Sequence, residues 1–81
     1  MPTKTVIVIR INDHFLGRHF VAGERPALHS LEKTAVWAYR WANESVARQC
    51  AQHLAQTECR GMAVAVERFA IFEDGDFEKA E

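Results

Sequence analysis

Apolar and polar positions along the chain change period several times, and each change marks an element. Residues 5–11 read Thr-Val-Ile-Val-Ile-Arg-Ile, six of the seven β-branched. Such side chains are stiff at χ1 and fit a pleated backbone. Thr5, Ile7, Ile9 and Ile11 share one face, and Val6 and Val8 the other. A strand apolar on both faces belongs at the centre of a sheet. Asn12-Asp13 supplies turn chemistry. Residues 15–21 are expected to return as the second arm of a hairpin, with a bulge at Gly17. Residues 22–33, with Gly23 and Pro26, read as a loop pinned to the core by Leu28 and Leu31.

Residues 34–42 fit two periods. At period two, Ala35, Trp37, Tyr39 and Trp41 share a face; at period 3.6, Leu31, Ala35, Ala38, Ala42 and Val46 line up and would extend one helix from Ser30 to Thr57. Three aromatics at i, i+2 and i+4 favour a strand, and Asn43 is a good N-cap where the next pattern begins. From Glu44 to about Thr57 the chain reads as a helix. Its apolar stripe is Val46, Ala47, Cys50, Ala51, Leu54 and Ala55, and Arg60-Gly61 marks the stop. In residues 62–72, Met62, Val64 and Val66 alternate with Ala63, Ala65 and Glu67. The phase then slips, because Phe69 and Ile71 fall on the face of Ala65, so a bulge near Glu67-Arg68 is expected.

The order is ββ-loop-βαβ, and the expected fold class is α+β: a three- to four-stranded antiparallel sheet packed on one helix. Residues 1–72 form a single domain in this reading, and residues 73–81 an acidic, mobile tail. One 14-residue helix cannot bury all the apolar strand surface. The remainder is covered by the loop and tail, or by a homodimer or partner interface.

Charge divides along the same boundary. Residues 1–72 carry nine basic and six acidic groups, a balance of +3. Residues 73–81 carry five acidic groups against Lys79, which brings the chain to −1. Seven of the ten basic residues are Arg, which favours planar, multi-donor contacts. With 81 residues the chain is one domain. No apolar run reaches the ~18 residues of a membrane span, and TVIVI is too short for a signal-peptide core, so a cytoplasmic protein without membrane contact is expected.

Candidate chemistry is sparse. Cys50-x-x-His53 with Cys59 offers three metal ligands, but Cys50 lies in the apolar stripe and no second cysteine pair exists. The same Cys50 and His53 lack an oxyanion device and a cleft. His14, His19 and His29 sit in hairpin or loop positions, and no Gly-rich phosphate loop is present. No catalytic residues, metal or cofactor are therefore assigned, and the chain is read as no enzyme. The residues expected to contact a partner are Arg18, Arg25, Trp37, Tyr39, Arg40, Trp41 and Arg48. A nucleic-acid-binding module using the arginines, with the aromatics as stacking platforms, is the alternative. A homodimeric structural protein is the second alternative.

Residues 5–17 (TVIVIRINDHFLG), 35–55 (AVWAYRWANESVARQCAQHLA) and 61–69 (GMAVAVERF) resemble, in pattern, a type of small phage and prophage accessory protein. Proteins of that type begin with a strand and an I-N-x-x-F/Y-L-G turn, then continue with an aromatic-ended strand, a polar N-cap, an Ala-rich helix and a closing strand. The resemblance implies a small protein that binds and occludes a surface of a larger host defence complex, as anti-CRISPR inhibitors do. No site residue is carried over by it.

Overall fold

The computed structural model describes residues 3–17, 31–57 and 59–80. The fold is α+β: β1 (Lys4–Ile11), β2 (His14–Leu16), β3 (Leu31–Glu32), a 3-10 turn (Ala35–Trp37), α1 (Glu44–Gln56), β4 (Val64–Ile71) and β5 (Phe77–Ala80). The five strands form one antiparallel sheet in the order β3-β2-β1-β4-β5. β1 lies at its centre, where its two apolar faces require it to be.

The Asn12-Asp13 turn closes β1 on β2 with Ile11 opposite His14. Asn12 takes a left-handed conformation, φ 54°, which its short polar side chain tolerates. Its backbone N–H donates to Ala63 O at 2.8 Å, and its Oδ1 accepts from Ala63 N–H at 2.9 Å. The hairpin tip is thereby tied to the start of β4. Asn43 caps α1 as its residue type suggests, with Oδ1 accepting from the N–H groups of Ser45 and Val46 at 2.8 and 3.3 Å.

The five strands exceed the three or four expected: β3 comes from the end of the segment read as a loop and β5 from the segment read as an acidic tail, while residues 34–42 add none. Phe72 N–H donates to Asp76 O at 3.0 Å and Gly75 N–H to Phe72 O at 2.9 Å, and Gly75 supplies the φ of +88° this turn needs. Phe77 then pairs with Ile71, and Ala80 with Arg68.

The phase slip in β4 needs no bulge. Its register against β1 runs unbroken from Ile71 opposite Lys4 to Val64 opposite Ile11. The sheet is instead covered on both faces, each over a different half. Ile9, Ile11 and Leu16 of one face pack with Ala51, Leu54 and Cys59 beneath α1, where Val64 and Val66 join them. Val8 and Phe15 of the other face pack with Ala35 and Ala38, where Phe69 and Phe77 join them. The apolar residues of β4 change face because the cover changes face. The helix stripe is correspondingly narrow: Ala47, Ala51 and Leu54 are buried, while Val46 and Ala55 are exposed.

Residues 34–42 are neither a sheet strand nor a helix continuous with α1, which corrects the expectation of a strand. Ala35–Trp37 forms the 3-10 turn, and Ala38 to Trp41 runs extended with only isolated bridges, Gly17 to Ala38 and Ile7 to Trp41. The physical cause is the pair of small residues at i and i+3. Ala35 and Ala38 both reach the second core from a tight turn.

Candidate interaction surface

Residues 35–41 form a strap that joins the two cores. Its first half lies on the face opposite α1, with Ala35 and Ala38 buried against Val8 and Phe15. It then passes alongside the sheet, where Tyr39 N–H donates to Leu16 O of β2 and Trp41 N–H to Ile7 O of β1, each at 2.8 Å. Trp41 ends half-buried against the helix-side core. The strap is held by backbone bonds at Tyr39 and Trp41 and by burial of Ala35 and Ala38, so the side chains it turns outward are presented from a fixed support.

Those outward side chains are large and apolar. With Ala35 and Ala38 inward, Val36 and Trp37 point to solvent. Trp37 is 61% exposed and Tyr39 44% exposed. Tyr39 meets Trp41 edge to face, with ring centroids 4.9 Å apart and planes at 66°, a geometry favoured by the ring quadrupoles. Arg40 points to the other side, its guanidinium 5.2 Å from the centre of the Phe77 ring, within cation–π range. Phe77 in turn adjoins Phe69, and Phe69 meets Phe15 edge to face at 5.8 Å. Arg10 closes this row 5.7 Å above Phe15. Strand β5 thus supports the strap through Phe77.

The residues expected to contact a partner separate accordingly. Trp37 and Tyr39 are exposed together, Trp41 is largely occupied by packing, and Arg40 by Phe77. Arg48 lies on α1, where its Nε donates to Glu44 Oε2 at 3.1 Å. Arg18 and Arg25 lie outside the described residues. Val36 was missed by the sequence reading, because a strand would have turned it away from Trp37. The spacing of Ala35 and Ala38 was the signal for it.

Much of the remaining cationic surface is engaged with carboxylates. Glu44 receives both Arg48 and Arg68. Hydrogen bonds from Arg68 first and Arg48 second hold its carboxyl below the ordinary carboxylate range. Glu67 receives Lys79 at 2.8 Å and Arg10 at 3.4 Å. Cys59 is buried in the helix-side core and Cys50 packs against it. Among the described residues there is no group of three His, Cys, Asp or Glu side chains placed to hold a metal ion, and no helix long and apolar enough to cross a membrane. Family models, curated proteins and solved structures were all compared with the chain, and none matches it.

Proposed function

We propose that this chain is a small non-enzymatic protein-binding module that works by occluding a surface of a larger partner in the cytoplasm. The observation that carries the reading is the shelf of Val36, Trp37 and Tyr39, exposed on a strap whose inward side is fully packed. Trp and Tyr bring large contact area with few rotatable bonds, and they dominate the binding energy of interfaces where they occur. A fixed support also lowers the ordering cost of association. The sequence resemblance to phage accessory proteins fits this mode of action and suggests a host complex as the target. The nucleic-acid alternative is less favoured, because Arg40, the arginine set among the strap aromatics, lies over the Phe77 ring and not beside Trp37 and Tyr39.

The test is capture of a partner from a bacterial host lysate by tagged protein, compared with Trp37→Ala, Tyr39→Ala and, as a control on another exposed apolar residue, Met62→Ala. The reading expects one stoichiometric partner that both strap variants lose and the Met62 variant keeps. Capture unaffected by either strap substitution rejects it. Binding of DNA or RNA that weakens steeply with added salt would favour the nucleic-acid alternative.

A further inference from the structure

Strand β5 covers only half of β4. It pairs with Arg68 to Ile71, and among the described residues no strand lies along residues 64–67 on that side. The register fixes which backbone groups face this opening. Asn12 N–H donates to Ala63 O, so the odd-numbered positions of the ladder bond to β1. Antiparallel pairing then alternates, and Val64 and Val66 turn their N–H and C=O groups to the open side. The bond from Phe72 N–H to Asp76 O keeps the same alternation on the β5 side. Two donors and two acceptors thus stand in a row at a sheet edge, which is the template for an added strand.

The edge also has a floor. Arg48, Ala51, Gln52 and Ala55 of α1, with Val64 and Val66, line a groove of about 600 Å³ along it. A second groove of about 350 Å³, which shares Arg48 and Val66, runs on toward Arg68, Lys79 and Ala80. Ala51, Ala55, Val64 and Val66 form the apolar part of the floor beside Gln52, and Glu44, Arg48, Glu67, Arg68 and Lys79 line the part nearest β5.

Those charges select the occupant. Glu44 is shared by Arg48 and Arg68, and Glu67 by Arg10 and Lys79. Each cluster holds two cations to one carboxylate and so carries a net positive charge. The β1–β4 and β4–β5 registers put Arg68 on the helix face and Glu67 with Lys79 on the opposite face. The opening is therefore flanked by positive charge on both sides of the sheet.

We infer that the open edge of β4 is a strand-addition site for an extended acidic segment of a partner protein. The segment's backbone pairs with Val64 and Val66, and its carboxylates meet the Arg48/Arg68 and Arg10/Lys79 clusters. The site uses none of Val36, Trp37 or Tyr39 and does not depend on the reading of the strap.

Fluorescence anisotropy with a labelled peptide of alternating Glu and Val tests it. Saturable binding is expected at about 50 mM salt, weakened about tenfold at about 300 mM as the charges are screened. The same peptide N-methylated throughout cannot pair and should not bind, nor should the peptide with Lys in place of Glu. Val66→Pro removes one outward N–H while leaving the β1 ladder intact, because proline is tolerated at an edge where the missing N–H faces outward. It should abolish binding with an unchanged circular dichroism spectrum, whereas Trp37→Ala should bind as the parent does. Equal binding of the N-methylated or Lys peptide to the unsubstituted protein overturns the proposal, whatever the variants do. So does an absence of binding at low salt. Sedimentation showing a dimer that Val66→Pro converts to a monomer would assign the edge to a second copy of this chain, and would overturn the acidic segment as occupant.

Discussion

Trp37 and Trp41 share one strap, yet the structure gives them opposite roles, and alanine at each position separates those roles. Trp41 is half-buried against the core of Ile9, Ile11, Leu16 and Leu54. Replacing a core Trp by Ala costs about 3–5 kcal/mol, so partial burial places Trp41→Ala near the lower end, at about 3 kcal/mol. Trp37 is 61% exposed, and substitutions at such positions usually cost under about 1 kcal/mol. A domain of 81 residues has a total stability of about 4–12 kcal/mol. Trp41→Ala therefore removes a quarter or more of it. With a urea m-value of about 1 kcal/mol/M, the midpoint falls by about 3 M for Trp41→Ala and by under about 1 M for Trp37→Ala. Urea titration followed by far-ultraviolet circular dichroism reads both. The chain has two tryptophans, so each variant also leaves one reporter. Native fluorescence should be blue-shifted when Trp41 remains and near that of free indole in water when Trp37 remains. Equal midpoint shifts, or a larger loss at Trp37, would refute the division of the strap into an inner and an outer half.

Three further outcomes follow from the same geometry. Asn43→Ala removes the acceptor for Ser45 and Val46 N–H and should lower stability by about 1 kcal/mol, measured by urea unfolding. Asn12→Gly and Asn12→Ala both lose the bond from Ala63 N–H, but only alanine adds the left-handed backbone cost of about 1–2 kcal/mol. Thermal melts should therefore rank parent, Gly, Ala, and an alanine variant as stable as the glycine one would contradict the turn geometry. Glu44 has its carboxyl held down in the folded state by Arg68 and Arg48. Its contribution is present above the unfolded carboxylate pKa and is lost as pH falls through the lower folded value. The Tm difference between the parent and Glu44→Gln should accordingly be largest near neutrality and close at low pH. A difference that grows on acidification would show the sign to be wrong.

What could be read from the sequence was local. The β-branched run of β1, the Asn12-Asp13 turn and the Asn43 cap each depend on neighbouring residues, and each stands where the pattern places it. The strap was misread because Trp37, Tyr39 and Trp41 alternate like a strand, while its actual shape is dictated by two alanines and by partners far away in the chain. Strand β5 was hidden by the acidic residues before it, Glu73, Asp74 and Asp76, although the strand itself carries one Glu and one Lys on opposite faces. Asp74-Gly75 between Phe72 and Phe77 was the available hairpin signal. Of the candidate site, Trp37 and Tyr39 are placed where a partner can reach them. Trp41 is drawn in by the helix-side core and Arg40 by Phe77, contacts that no spacing rule contains.

The central ladder joins residues far apart in the sequence: Lys4 pairs with Ile71 and Ile11 with Val64. This has a consequence for biosynthesis. β1 is the most hydrophobic stretch and is made well before β4, its main partner in the sheet. Until then β1 can meet β2, the strap and α1, but the side that carries its longest ladder stays unpaired. Pairings so distant in sequence close slowly, and an unpaired apolar strand invites other chains. The interval between synthesis of β1 and arrival of β4 is the period in which this protein is most exposed to aggregation and to chaperone capture. A nascent chain halted short of residue 64 has β1, β2 and β3 but lacks the ladder that covers the whole length of β1.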